Sequence, residues 1–285
     1  MTPVNGFTAM KHTSCLVLAA SLLSAPAWAD EAPPGKPFTA NLNLVSHYRF
    51  RGIDQTWGRP ALQGGVDYAH PSGWYAGFWA SNVSSRAYPG GGAELDVYGG
   101  YNGKVNEDWG YTAGLYGYIY PGANVSQATC PSAALSAPCG GLPSQRFNTL
   151  EINAGVNWKW LAYKVSVSAT DYFGANTRTS YSRGTRGTLY HDLTATVPLD
   201  GSLHLILHAG YTDLRATASG HSPNYADWRV ALAKTFEGGW SASVGVVGAT
   251  NNRFYRPPTG GLSATDGATR ALNRAALVLQ VGKTF

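Results

Sequence analysis

The sequence predicts an all-β protein: an antiparallel up-and-down transmembrane β-barrel of about 12 strands. Three observations support this fold class. Alternating apolar and polar residues recur in twelve segments, the connections between these segments alternate in length, and the N-terminus has the features of an export signal. Outer-membrane barrels combine an even strand number with short periplasmic turns and longer extracellular loops. We therefore expect the chain to lie in the outer membrane of a Gram-negative bacterium.

The N-terminus is predicted to be a cleaved signal peptide, residues 1–29. A basic flank precedes the apolar run CLVLAASLLS at 15–24, and Ala-Trp-Ala at 27–29 is a cleavage site of the small-x-small type. The run is shorter than the roughly 20 residues that a membrane-spanning helix needs. We expect residues 30–37 to form a short periplasmic segment and residues 38–285 to form the barrel.

The composition favours many strands joined by turns, in surroundings where charge is costly. The 285 residues include 35 Gly and 35 aromatic side chains (9 Trp, 17 Tyr and 9 Phe), but only 13% are charged. Soluble domains typically carry about 25% charged residues. The net charge of +5 is slight and scattered, which argues against a nucleic-acid partner.

The predicted strands differ from the connections by their period-two alternation of Val, Leu, Tyr, Thr and Trp with polar residues. They span approximately 38–51, 60–70, 73–84, 93–105, 109–120, 147–158, 161–174, 186–198, 201–213, 225–236, 239–250 and 272–285. Short turns near 70–73, 106–108, 159–160, 199–201 and 237–239 alternate with longer connections near 52–59, 85–92, 121–146, 175–185, 214–224 and 251–271. This alternation predicts that both termini are periplasmic.

The two faces of each predicted strand suit different surroundings. In the stretch HYRFRG, residues 47–52, parity places Arg49 and Arg51 inside the barrel and Tyr48 and Phe50 toward lipid. The apolar faces make outer-membrane lipid the expected partner of the exterior. Five tryptophans near the short turns are candidates for an interfacial aromatic girdle: Trp74, Trp109, Trp158, Trp160 and Trp240.

The last predicted strand ends the chain at Phe285, with Leu277, Leu279 and Val281 on one face. A closing strand that ends in Phe resembles the C-terminal signal of bacterial outer-membrane proteins. This resemblance makes the barrel assembly machinery an expected partner.

Four stretches of the chain carry a resemblance to a known family: VSHYRFRGIDQT (45–56), PALQGGVDYAHPSGWYAGFWASNV (60–83), ELDVYGGYNG (94–103) and YGYIYPG (116–122). They resemble the corresponding stretches of a family of proposed outer-membrane porins called TorF-like. Weaker similarity continues through Glu151, ATDYFG (169–174) and residues 225–228. The resemblance implies a porin that carries small solutes, and it implies location and architecture more firmly than the solute.

The predicted inner face carries balanced charge. Twelve strands fall between the eight of barrels filled by side chains and the sixteen or more that leave an aqueous channel. The pore-lining candidates are the carboxylates Glu94, Asp96, Glu151, Asp192 and Asp227, the cations Arg49, Arg51, Lys164, Arg229 and Arg274, and the histidines His47, His204 and His208. Two interpretations stay open: an interior filled by salt bridges, and a narrow pore in which these charges select small polar or charged solutes.

Two other function classes are weighed against the porin. A non-conducting structural or adhesive barrel would act through its extracellular loops, with 121–146 as the best candidate; this loop could equally fold inward as a constriction. An outer-membrane hydrolase is a further alternative. His70 and Ser72 have the spacing of a phospholipase site, but they lie in a short periplasmic turn, at the wrong end of the barrel. Asp213, His221 and Asp227 could form a protease site at the extracellular rim only if the loops happened to bring them together. We expect no enzyme.

Metal and cofactor sites are not predicted. His204 and His208 lie about 13 Å apart on a strand, too far for one ion with ligands near 2 Å, and no phosphate-binding loop is present. Cys130 and Cys139 form an even pair in an exported chain, which makes a disulfide plausible. Such a bridge would constrain a loop and would not stabilise the barrel itself.

Overall fold

Twelve antiparallel strands close into one barrel, as the sequence predicts. The computed structural model describes residues 37–131, 136–138, 143–218, 220–255 and 270–285. The predicted signal peptide, residues 1–29, lies outside the described residues, as does the segment 30–37 apart from its last residue.

Each barrel strand pairs with the strands before and after it in the sequence, and the first pairs with the last, so the sheet has no free edge. The strands are β1 Phe38–Val45, β2 Ala61–Ala69, β3 Trp74–Asn82, β4 Ala93–Lys104, β5 Trp109–Ile119, β6 Thr149–Trp158, β7 Leu161–Ser168, β8 Leu189–Asp200, β9 Leu203–Asp213, β10 Tyr225–Thr235, β11 Trp240–Ala249 and β12 Ala276–Thr284. Closure removes the unpaired backbone groups that an open sheet would expose.

The outside of the barrel is an apolar belt. Large aliphatic side chains on alternate positions of neighbouring strands are exposed, among them Leu42, Leu62, Val97, Leu115, Ile152, Leu207, Val230, Val244 and Leu279. The five tryptophans of the predicted girdle are all exposed at the short-turn end of the barrel. An exposed belt of this extent would be unusual on a soluble monomer and suits contact with lipid.

The connections follow the predicted alternation of short and long, and the long ones carry most of the irregular structure. They contain 3-10 turns at Val125–Gln127, Tyr172–Gly174 and Thr177–Thr179, a helical turn at Asn252–Tyr255, and a small hairpin of Thr129–Pro131 with Ser136–Pro138. The short turn before β11 holds one further 3-10 turn, Glu237–Gly239. Within the described part of the chain, no helix has the length and apolar character needed to cross a membrane.

The first predicted strand, 38–51, is wrong in its second half. β1 ends at Val45, which pairs with Ala61 at the start of β2. Residues 46–60, here called the inner segment, therefore add no strand to the barrel sheet, and residues 48–57 of this segment fold into the lumen. The aromatic–cationic alternation of HYRFRG fits a continued strand and an inserted hairpin equally well, so periodicity alone could not separate the two.

Candidate functional site

The inner segment is a short hairpin inside the barrel. Arg49 and Phe50 pair with Asp54 and Ile53. The two residues that turn the chain both have left-handed backbones, with φ of 48° at Arg51 and 76° at Gly52. This is the geometry of a tight two-residue turn, in which glycine is favoured because it has no Cβ.

Arg51 fixes the tip of the hairpin to the far wall. Its two terminal nitrogens donate to the two carboxylate oxygens of Glu151 at 2.8 and 2.7 Å, and both side chains are less than 5% exposed. Glu151 lies on β6, which is separated from β1 by four strands in one direction and six in the other. The pair therefore spans the lumen with bidentate geometry, the strongest form of arginine–carboxylate contact.

Aromatic groups complete the surroundings of Arg51. Its guanidinium lies 3.9 Å from the ring centroid of Tyr190, and it donates to the Tyr172 hydroxyl at 3.1 Å. Burial alone would lower the pKa of Arg51, but the nearby Glu151 carboxylate raises that pKa well above its usual value. Arg51 therefore stays charged, and its pair with Glu151 is a fixed cross-lumen contact.

Arg49 holds the base of the hairpin to the segment that precedes β12. It donates to the carbonyls of Leu272 at 2.8 Å and Arg274 at 3.1 Å, and its guanidinium lies 3.8 Å from Asp54. Asp54 also binds Arg270 at 3.0 Å. Burial lowers the pKa of Arg49, and the Asp54 charge opposes that shift. Arg49 and Arg51 thus anchor the base and the tip of the hairpin to the rest of the protein.

A layer of tyrosines and carboxylates packs beside the hairpin. The Tyr120 hydroxyl donates to Glu94 at 2.7 Å, and the Tyr116 hydroxyl donates to Asp96 at 2.9 Å. Burial raises the pKa of Tyr120 well above its usual value, and the Glu94 charge raises it further. Each of these phenols therefore donates a hydrogen bond to one oxygen of a buried carboxylate.

Tyr48 and Phe50 lie within this layer, so their predicted lipid-facing position is wrong. Phe50 is 5% exposed and packs edge-on against Tyr118 at 5.4 Å, while Tyr48 contacts Trp79 at 5.5 Å. The physical reason is that the chain has left the sheet by this point, so strand parity no longer assigns their faces.

A second charged group lies on the wall formed by β7 to β10. His208 bridges two carboxylates, with Nδ1 3.3 Å from Asp192 and Nε2 2.9 Å from Asp227. Lys164 faces Asp192 across the β7–β8 pairing. These four strands therefore carry one chain of alternating charges, in which each group has a partner of opposite sign, whereas burying any of them alone would be costly.

The structure brings most of the predicted lumen residues together. Nine of them occupy inward positions of the barrel strands: Glu94, Asp96, Glu151, Lys164, Asp192, His204, His208, Asp227 and Arg229. Arg49 and Arg51 reach the lumen through the inner segment. His47 is half-buried at the wall near Leu277. The assignment of Arg274 to the inner face is wrong, because this residue precedes β12 and its side chain is exposed.

The tyrosines around Arg51 and the carboxylates were not among the predicted site residues. Tyr116, Tyr118 and Tyr120 alternate along the end of β5, on the same parity as the polar Thr112. This shared parity could have predicted from the sequence that the three tyrosines point into the lumen. Tyr172 had no such signal, because it lies on a connection.

The lumen is closed at one end and more open at the other. Toward the long connections, the inward residues Glu94, Asp96, Glu151 and Asp227 are almost completely buried. Toward the short turns, small polar residues on inward positions stay partly exposed, including Thr39, Asn41, Asn102, Thr194, Ser241 and Ser243. The inner segment and the tyrosine layer therefore close a polar vestibule. Beside them lies a cavity of about 10 Å³, roughly the volume that one water needs.

The structure does not bring the candidate hydrolase residues Asp213 and Asp227 together, because each of them binds other partners. Asp213 binds Arg215 and Asn224, whereas Asp227 binds His208 inside the barrel. His70 and Ser72 bond to each other in an exposed short turn. Among the described residues, no group of three or more His, Cys, Asp or Glu could hold a metal ion. The predicted Cys130–Cys139 pairing cannot be assigned, since Cys139 lies outside the described residues.

Gly52 fits closely against the barrel wall, which gives a testable prediction. An added Cβ would lie 2.7 Å from the Asp227 Cβ and 2.8 Å from the Gly248 carbonyl oxygen. We expect Gly52→Ala to lower the free energy of unfolding by about 1–3 kcal/mol, because the strain of a left-handed backbone and the close contact of the new Cβ both destabilise the folded state. Denaturant titration in detergent measures this. Gly187→Ala is the matched control, because Gly187 has a φ of 84° and open space around it; equal losses in both variants would show that the contact at Gly52 is unimportant.

The chain is similar to one described protein family and to several solved porin structures. A family model described as a bacterial protein of unknown function, Gcw_chp, matches residues 29–285. No curated protein sequence matches significantly. Similar solved structures include a KdgM porin in complex with disordered oligogalacturonate (10% identity, 87% of this chain and 98% of that chain, TM-score 0.47) and a NanC porin (10%, 87% and 98%, 0.48). Another is OprD from Pseudomonas aeruginosa (9%, 89% and 66%, 0.36).

Proposed function

We propose that this chain, which belongs to the Gcw_chp family of bacterial proteins, is an outer-membrane porin with a narrowed lumen. The observation that carries the proposal is the inner segment, which crosses a polar-lined barrel and is pinned to the far wall by Arg51 and Glu151. A barrel that needed only a filled interior could use wall side chains alone. An inserted segment instead places charges where a permeating solute would meet them.

The outer membrane is the proposed location because the exterior is an apolar belt with exposed tryptophans at one end. In this proposal both termini and the short turns are periplasmic, and the long connections face the outside of the cell. The predicted signal peptide would direct export. The barrel assembly machinery would read the last strand together with Phe285, which follows it.

The proposed activity is passive diffusion of small polar or charged solutes. A solute would cross the vestibule and pass the constriction formed by the inner segment and the tyrosine layer. The proposed pore-lining residues are His47, Arg49, Arg51, Glu94, Asp96, Glu151, Lys164, Asp192, His204, His208, Asp227 and Arg229. Because carboxylates and cations are nearly balanced there, size should limit passage more than charge does.

Single-channel recording of the purified protein in a planar bilayer tests this function. We expect steady ohmic current steps of small amplitude, because the constriction leaves little open cross-section. A second candidate, a non-conducting barrel, is favoured by the near-complete burial of the layer around Glu151. Silence from the wild type and also from variants with a released inner segment would support that candidate and exclude the porin.

Release of the tip contact should raise the current. Arg51→Gln with Glu151→Gln removes the ion pair without leaving one buried charge alone, so the barrel should still fold. We expect a several-fold increase in single-channel conductance, measured in the same bilayer. The control is Asp108→Ala, which breaks an exposed pair with Lys159 at a short turn. If both variants conduct like the wild type, the pair does not hold a constriction.

Orientation can be tested by proteolysis of intact cells. Arg178, Arg183 and Arg186 lie in the long connection between β7 and β8, and the side chains of Arg183 and Arg186 are exposed. Trypsin added outside should cut within this connection, because the proposal places it on the cell surface. Cleavage only after permeabilisation would reverse the orientation or exclude this membrane.

A further inference from the structure

The charges of the chain are divided between the two ends of the barrel. Thirteen of the 14 arginines lie in the long connections, together with three aspartates and no lysine or glutamate. The lysines that follow residue 100 lie at the short-turn end, apart from Lys164 inside the barrel. Arg49 and Arg51 are buried and paired inside the barrel, but the other arginines of the long connections give this rim an excess of positive charge, which attracts anions. Arginine rather than lysine also suits planar, two-point contact with carboxylate or phosphate.

One open groove in this rim combines two arginines with uncharged polar groups. It has a volume of about 450 Å³, within the range of small-molecule sites. Its polar lining consists of Ser182, Arg183, Arg215, Thr217, Ser222 and Asn224. These residues come from the connection between β7 and β8 and from the connection between β9 and β10.

Hydrogen bonds join the two connections beneath the groove. The Ser182 amide donates to the Thr217 carbonyl at 2.7 Å, and the Thr217 amide donates to the Ser182 hydroxyl at 2.9 Å. Below this seam, Leu214 is buried with Tyr172 and Ala175. The two connections that form the groove are therefore held together by hydrogen bonds and by packed side chains beneath them.

Both guanidiniums are positioned through their inner nitrogens. Arg215 Nε contacts Asp213 at 3.2 Å, and Asp213 is held in turn by Asn224 at 2.9 Å. Arg183 Nε donates to the Arg215 carbonyl. In the part of the chain that the structure describes, no hydrogen bond uses the terminal nitrogens of these two arginines. Both arginines line the groove, so their four terminal nitrogens can donate to a ligand that binds there.

We propose that this groove binds a small soluble anionic sugar, one that carries a carboxylate or phosphate beside free hydroxyls. The two guanidiniums would take the anionic group. The side chains of Ser182, Ser222 and Asn224 would take the hydroxyls. Its role as a collecting site at the mouth of a channel rests on the proposed function, but the binding itself does not.

Isothermal titration of the detergent-solubilised protein tests this binding without requiring conduction. The probes are glucose 6-phosphate and glucuronate, with glucose as the neutral comparison and lipopolysaccharide as the other source of sugar-linked phosphate. We expect both anionic sugars to bind and glucose to bind much more weakly. Arg183→Gln with Arg215→Gln should weaken binding by at least about tenfold, since contacts to charged groups are lost.

The matched control is Arg59→Gln with Arg146→Gln, which removes the same charge from exposed positions elsewhere on the rim. We expect less than about a threefold change there at physiological salt, because long-range attraction is screened. Three results would each contradict the proposed binding site. They are an equal loss of affinity in the two double variants, an affinity for glucose equal to that for the anionic sugars, and binding of lipopolysaccharide alone. If the titration succeeds while the wild type and the variants with a released inner segment are all silent in the bilayer, only the channel is contradicted. If the bilayer shows current steps while the titration fails, only the anion-binding groove is contradicted.

Discussion

Glu151→Ala is expected to lower the free energy of unfolding by about 3–5 kcal/mol, because it leaves the buried Arg51 guanidinium without its partner. The contact is bidentate, both side chains are almost inaccessible, and the tyrosines around Arg51 provide no compensating negative charge. Denaturant titration in detergent, followed by loss of barrel structure, measures this change.

The control for this loss is the exposed Lys159–Asp108 pair, whose side chains are about half exposed. Asp108→Ala should cost at most about 1 kcal/mol, since surface ion pairs contribute little. The double change Arg51→Gln with Glu151→Gln should cost less than Glu151→Ala alone. If Glu151→Ala is as mild as Asp108→Ala, the cross-lumen pair does not anchor the inner segment.

Leu42→Arg and Asn41→Arg are expected to have opposite outcomes although the residues are adjacent. Leu42 is exposed on the apolar belt near the middle of β1, whereas Asn41 points into the vestibule. Arginine on the lipid face should cost about 2–4 kcal/mol at the membrane midplane, and a lumen position should tolerate it.

Refolding yield into lipid vesicles, followed by denaturant titration, compares these two variants directly. Asn41→Arg should fold with nearly wild-type yield, because its guanidinium reaches water in the vestibule. A folded, stable Leu42→Arg protein together with a misfolded Asn41→Arg protein would invert the assigned faces. It would also remove the argument for a lipid-facing exterior.

The barrel wall could be predicted from the sequence because each strand obeys one local rule. Alternation at Leu150–Trp158 or Leu203–Ala209 assigns faces whatever the rest of the chain does. The exposed tryptophans follow from the same rule, since they lie where strands meet short turns. Strand number followed from the alternating lengths of the connections.

The contents of the lumen could not be predicted in the same way. HYRFRG continues the alternation of β1, and only the pairing of Val45 with Ala61 shows that the strand has ended. The partner of Arg51 is Glu151, which lies 100 residues away in the sequence. Such contacts depend on barrel closure and register, which no local pattern in the sequence specifies.

Replacing residues 46–60 by a two-residue Asn-Gly turn tests the central claim most directly. Val45 and Ala61 already face each other across the β1–β2 pair, so a tight turn of this kind can join them. We predict that the shortened protein folds and shows a single-channel conductance several-fold above that of the wild type, with passage of larger neutral solutes. A folded, shortened protein with unchanged or absent conductance would contradict a lumen narrowed by the inner segment.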